Sequence, residues 1–140
     1  MGRVALVAVA LALVVPAAGT ARPAAQPVFS FGRIGGNIIP FTVSIQPDGS
    51  VTRSGPVELS NPNVHVSKAR RLALLAFARR KGFWSLPRRT LCRDSLPDVA
   101  SIFVTIHSGI RTKTVAVRGD CNSKFTSVYD ALATAATVKH

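Results

Sequence analysis

Residues 90–107, "TLCRDSLPDVASIFVTIH", decide how this chain is read. They bring Cys92, Ser95, Asp98 and His107 within eighteen positions, either as a nucleophile with its base or as a stapled loop entering a strand. The second half of the stretch is strand-like, because Ile102, Val104 and Ile106 alternate with Ser101, Thr105 and His107. "RTKTVAV" (111–117) returns as its partner across Ser108-Gly109-Ile110, which predicts a β-hairpin over 99–117. Cys92 precedes the first strand and Cys121 follows the second, so the two cysteines of the chain flank the open end of one hairpin.

Outside the cytosol, two cysteines in a small domain pair. A Cys92–Cys121 bridge would close a loop of roughly 30 residues and contribute about 3.5 kcal/mol in the chain-entropy model. Simple hairpin register sets Cys121 opposite Asp98, so the segment "RDSLP" (93–97) is expected to double back, helped by the turn formers Asp94, Ser95 and Pro97. A bridged cysteine is not a resting nucleophile. Ser95, Asp98 and His107 remain as a triad by residue type, but triads are recognised by geometry, and Ser95 lacks a G-x-S-x-G elbow. His107 stands beside a turn, and Asp98 follows Pro97, where it can bond local N–H groups. The stretch reads as a stapled loop, with a hydrolase using Ser95 and His107 as the remote alternative.

Moving outward, the first 21 residues have the order of a secretory signal peptide: Arg3, an uncharged apolar run from Val4 to Val15, Pro16, then small residues to Ala21. The expected location is secreted or extracytoplasmic; anchoring by an uncleaved signal is the lesser alternative, since Pro, Gly, Thr and Ala end the run. Residues 22–27 are a Pro- and Ala-rich stretch expected to be a disordered linker, and 28–140 form a single domain.

Within that domain "VFSFGRI" (28–34) alternates as a strand, and residues 38–54 form a hairpin around the turn Pro47-Asp48-Gly49. Ser67 is placed to cap the helix "KARRLALLAFARRK" (68–81), Gly82 to end it, and Phe83, Trp84 and Leu86 to fold back onto the core. A second helix begins at Ser123 as its cap and carries Phe125, Val128, Tyr129, Leu132 and Ala136 at helical spacing. The order predicts an α+β fold: an antiparallel sheet of two β-hairpins plus an N-terminal strand, two helices on one face and one disulfide.

Taken together, "FTVSIQPDGSV", "GFWSLP", the two cysteines around "LPDVASIFVTI", and the closing "VYDAL" resemble a group of small exported bacterial proteins. The resemblance spans nearly all of the chain after residue 21 and implies export and fold. Its motifs are turns, caps and core positions, so it carries over no catalytic or cofactor residues.

Metal chemistry is poorly supported, because His65, His107 and His140 stand apart without ligand spacing. The glycines of "FGRIGG" precede a strand rather than a helix, which removes the amide cradle of a phosphate loop. The charge is the unusual feature: 18 Lys and Arg oppose 6 Asp and Glu. Between positions 68 and 93 stand Lys68, Arg70, Arg71, Arg79, Arg80, Lys81, Arg88, Arg89 and Arg93, with no acid among them. One sign of field over a helix and its following loop attracts polyanions, whereas a solvated basic face is the plainer reading. Nucleic acid is not an expected partner, because aromatic platforms are not interleaved with the charges. The leading expectation is a non-enzymatic exported domain binding anionic cell-envelope polymers or surfaces through these nine residues, without cofactor. The alternative is a secreted inhibitor or interaction module that presents the cystine-stapled loop 88–98 to an extracellular protein.

Overall fold

The computed structural model describes residues 25–139. The expected signal peptide (1–21), the first part of the expected linker (22–24) and His140 lie outside the described residues. Residues 25–27 carry no regular structure and lead into β1 (Phe29–Ile34), β2 (Phe41–Ile45) and β3 (Val51–Ser54). Helix α1 (Lys68–Arg80) and a short 3-10 turn (Phe83–Ser85) follow, then β4 (Arg89–Leu91), β5 (Ser101–Ser108), β6 (Arg111–Arg118) and helix α2 (Ser123–Ala135).

The strands make one sheet in the order β3-β2-β1-β5-β6-β4. Alternation decides its inner face. Phe31 lies between Val43 and Val104, and Val104 lies opposite Val115, so period-2 residues from four strands share one side. These four are fully buried in one core with Phe29, Ile45, Ile106 and Val117 of the sheet and Leu74, Phe83, Phe125, Val128 and Leu132 of the covering segments. Fully burying each of the large side chains contributes about 1.5–3 kcal/mol. Phe31 and Tyr129 meet edge to face at 5.7 Å. The expected α+β architecture, with both helices over one face, is what the chain adopts.

The other face is left uncovered and carries the polar alternates. Ser30 and Ser44 pair through their hydroxyls at 2.9 Å, Thr105 and Thr114 at 2.8 Å, and His107 Nδ1 lies 2.8 Å from Thr112 Oγ1. Cross-strand hydroxyl pairs suit a sheet surface that faces water.

Three local expectations need correction. First, the sheet is mixed and has six strands, because β4 pairs with β6 in parallel. "RTL" is too short to show any alternation, and a parallel partner leaves no hairpin turn to find. The first part of the expected loop 88–98 is therefore a strand. Second, the expected doubling back at 93–97 occurs, through turn bonds from Ser95 N–H to the Cys92 carbonyl and from Val99 N–H to the Leu96 carbonyl, but it follows a strand: Cys92 arrives along the outer edge of β6, where its N–H donates to the Arg118 carbonyl at 3.0 Å. Third, α2 is capped by Asn122, whose Oδ1 accepts from the Phe125 N–H at 3.1 Å, while Ser123 is already the first helical residue.

Helix α1 forms as expected. Ser67 Oγ accepts from the Arg70 N–H at 3.2 Å, and Gly82 takes a left-handed φ of 71° that sends Phe83 into the core. The Arg71 guanidinium donates to the carbonyls of Pro47 and Val66, which ties the start of the helix to the β2–β3 turn. Arg79 at the other end reaches Ser108 Oγ in the β5–β6 turn at 3.4 Å. A helix of this length spans ~20 Å, about four strand spacings, so α1 crosses the sheet from one hairpin turn to the other.

Candidate functional site

The segment from Gly82 to Cys92 descends the outer edge of β6, and three interactions hold it there. Phe83 is fully buried. The Lys113 ammonium donates to the carbonyls of Trp84, at 2.7 Å, and Leu86. The Ala116 N–H donates to the Arg88 carbonyl at 2.9 Å, which opens the parallel ladder. Lys113 is thus a structural cation that fixes where the arginines beyond Leu86 fall.

Register then dictates which side chains gather on the uncovered face. Ile34 lies opposite Ser101, Ser101 opposite Arg118, and Arg118 beside Leu91, giving one row across four strands. The next row is Gly32, Phe103, Ala116 and Arg89. With Arg88, Thr90 and Thr114, members of these rows line an open trough of about 700 Å³, within the usual size of ligand pockets. Three guanidinium groups and the hydroxyls of Ser101 and Thr114 face an apolar floor of Ile34, Leu91 and Ala116, and the lining contains no acid. The Arg118 Nε is buried without a hydrogen-bond partner.

Further positive charge stands toward the other end of β6, on the helix-covered side of the sheet. The Arg111 guanidinium lies 4.5 Å above the Trp84 ring, Arg80 and Lys81 lie over Phe77, and Arg79 meets the β5–β6 turn. From Arg111 to Arg118 the edge runs ~23 Å at the rise of a strand. None of α1, β4, β5 and β6 contains an acidic residue. Among the described residues the only ion pair is Lys139–Glu58, at 2.9 Å.

Of the nine basic residues expected to act together, Arg88 and Arg89 line the trough, whereas Arg79, Arg80 and Lys81 end α1 on the helix-covered side of the sheet. Lys68 and Arg70 stand at the opposite end of α1, and Arg71 is consumed in holding the β2–β3 turn. Arg93 turns away into a groove shared with Asp94 and Asp120. Arg111 and Arg118 were missed by the sequence reading. Their signal was the position of the two arginines at the ends of β6, which acquires meaning only once β4 is known to lie alongside.

The structure does not bring Ser95 and His107 together. Ser95 Oγ donates to the Cys92 carbonyl at 2.7 Å inside the cystine turn, whereas His107 lies near the far end of β5 with Thr112. The strand between them alone accounts for ~20 Å. The Asp98 carbonyl accepts from the Asn37 N–H at 3.1 Å, and Asp98 lines a groove with Arg33 and Asp120. His65 Nε2 bonds the Asp48 carbonyl at 2.8 Å. Among the described residues no group of three or more His, Cys, Asp or Glu is placed to hold a metal ion, and no helix is long and apolar enough to cross a membrane.

No protein-family model, curated protein or solved structure matches the chain. The functional reading therefore starts from the basic edge itself.

Proposed function

We propose that this protein is a non-enzymatic, extracytoplasmic domain that binds an anionic envelope polymer along the β6–β4 edge. The observation that carries the reading is the gathering of Arg88, Arg89 and Arg118 on one acid-free trough, with further positive charge from Arg111 at the other end of β6. Guanidinium groups remain charged at any physiological pH and bind phosphate or carboxylate oxygens through paired N–H donors. Charges spread over ~23 Å exceed the ~8 Å screening length at physiological salt, so an extended polyanion that meets them in turn gains more than a single small anion does. The disulfide supports an oxidising location, as does the likeness of the N-terminal residues to an export signal.

Chromatography on immobilised polyphosphate tests this. Wild-type protein is expected to be retained and to elute with a salt dependence that reflects several released counterions. The R88Q/R89Q/R118Q variant is expected to elute at markedly lower salt, and K68Q/R70Q close to wild type. Equal elution of the triple variant and wild type would defeat the reading.

A further inference from the structure

Apolar side chains are exposed at one end of the molecule. Of the eight large hydrophobic residues that are exposed among the described residues, six (Ile34, Ile38, Ile39, Leu91, Leu96 and Val99) belong to the β1–β2 and β4–β5 connections or the strand ends that feed them. Ile39, Leu91 and Leu96 are 72%, 69% and 68% exposed. The two connections are joined, because the Asn37 N–H donates to the Asp98 carbonyl at 3.1 Å, and the Cys92–Cys121 bridge fixes the base of the second. They lie beyond the last row of the sheet, Ile34–Ser101–Arg118–Leu91. Scattered exposed apolar residues are ordinary, but here Ile34 and Leu91 line one hollow, Ile38 and Val99 another, and all six belong to two connections joined to each other.

Its surroundings choose the occupant. Arg88, Arg89 and Arg118 border the group on the uncovered face, while Asp98 and Asp120 share a groove with Arg33, and Asp94 and Asp120 share another with Arg93. The side toward the trough is thus purely basic. A second copy of the chain docking there by two-fold symmetry would set arginine against arginine, whereas an anionic surface meets both the charge and the apolar tip. We propose that this end docks on an anionic lipid bilayer, with Ile39 and Leu96 entering the interfacial region and Arg89 and Arg118 at the depth of the phosphates. The proposal shares two arginines with the polymer strip, but it stands on the apolar connections, which polymer binding does not use.

Co-sedimentation of the full oxidised protein with vesicles tests it. Vesicles of phosphatidylglycerol and phosphatidylcholine in equal parts are expected to carry the protein down, and phosphatidylcholine alone to carry much less. I39S/L96S, two exposed positions whose change leaves the core intact, is expected to weaken vesicle binding roughly tenfold or more while keeping retention on polyphosphate. R89Q/R118Q is expected to weaken it by roughly fivefold per arginine. Wild-type sedimentation of I39S/L96S, or equal sedimentation with neutral and anionic vesicles, would overturn the docking and leave the polymer reading standing. A wild-type dimer that I39S/L96S converts to monomer, with vesicle binding unchanged, would overturn it in favour of self-association.

Discussion

Cys92 lies just past the end of β4 and Cys121 just past the end of β6, with their Cα atoms 5.7 Å apart. The bridge therefore joins the ends of two neighbouring parallel strands, rather than closing the mouth of a hairpin. Its partner interaction is the Cys92 N–H to Arg118 carbonyl bond, so covalent and hydrogen-bonded register agree at the same place.

Changing both cysteines to serine is expected to lower the unfolding free energy by about 3.5 kcal/mol. Urea denaturation of wild type and variant, each monitored through Trp84, measures it. An unchanged midpoint would mean that the β4 ladder holds this edge unaided.

Gly119 has φ of 88°, and a Cβ added to it would lie 2.8 Å from the Cys92 Cβ. Gly109 has φ of 59° with nothing nearby. Alanine at 109 is expected to cost about 1 kcal/mol of backbone strain, and alanine at 119 about 2–4 kcal/mol, because overpacking adds to the strain. The difference is read from melting of the two variants; equal effects would remove the steric argument.

Arg71 and Arg89 are both basic, yet they are expected to fail in opposite assays. R71Q loses the hydrogen bonds to Pro47 and Val66 and is expected to drop stability by about 1–2 kcal/mol with polyphosphate retention kept. R89Q is expected to weaken retention with stability unchanged within about 0.5 kcal/mol. A crossed measurement of both properties on both variants decides the matter.

The chain has one tryptophan, and Arg111 covers it. Polyanion bound along the strip draws the Arg111 guanidinium toward itself, so titration with polyphosphate is expected to change Trp84 emission. In R111Q that response is expected to vanish while most of the retention remains. A full response in R111Q would place the ligand elsewhere.

Tyr129, the sole tyrosine, has its pKa raised above the ordinary 10.0 by burial, with nearby Arg33 working the other way. The folded state therefore holds the phenolic proton more tightly than the unfolded state. The corresponding stability is fully present below pH 10.0 and is lost as pH rises through the folded value. Ultraviolet difference absorbance is expected to show tyrosinate forming later in native protein than in urea; coincident curves would contradict the buried environment.

Most of the scaffold was readable where a side-chain period or a cap had a local cause. The alternation Ile102, Val104, Ile106 marked β5, and Ser67 with Gly82 bounded α1, because these signals are complete within a few residues. The paired cysteines were readable from their flanking positions. β4 was not, since three residues have no period and their partner lies more than twenty positions away. That one omission hid the candidate site. Without β4 on the outer edge of β6, Arg88 and Arg89 belonged to the helix charges, and Arg118 had no reason to join them. Arg71 misled in the opposite sense, because its turn inward depends on the β2–β3 carbonyls, which a helical wheel does not contain.

The bridge at the end of β4 also carries a timing consequence. A strand of three residues has few ladder bonds of its own, so before the sulfurs join, its far end from Arg89 to Leu91 is expected to fray, although the Arg88 carbonyl stays bonded to the Ala116 N–H. The reduced chain then leaves Arg89 freer beside Arg118, and oxidation is expected to tighten the proposed binding edge. Polyphosphate retention measured before and after reduction follows this directly, with weakening on reduction and recovery on reoxidation as the expected course. Such a protein would hold polyanions less firmly under reducing conditions than under oxidising ones.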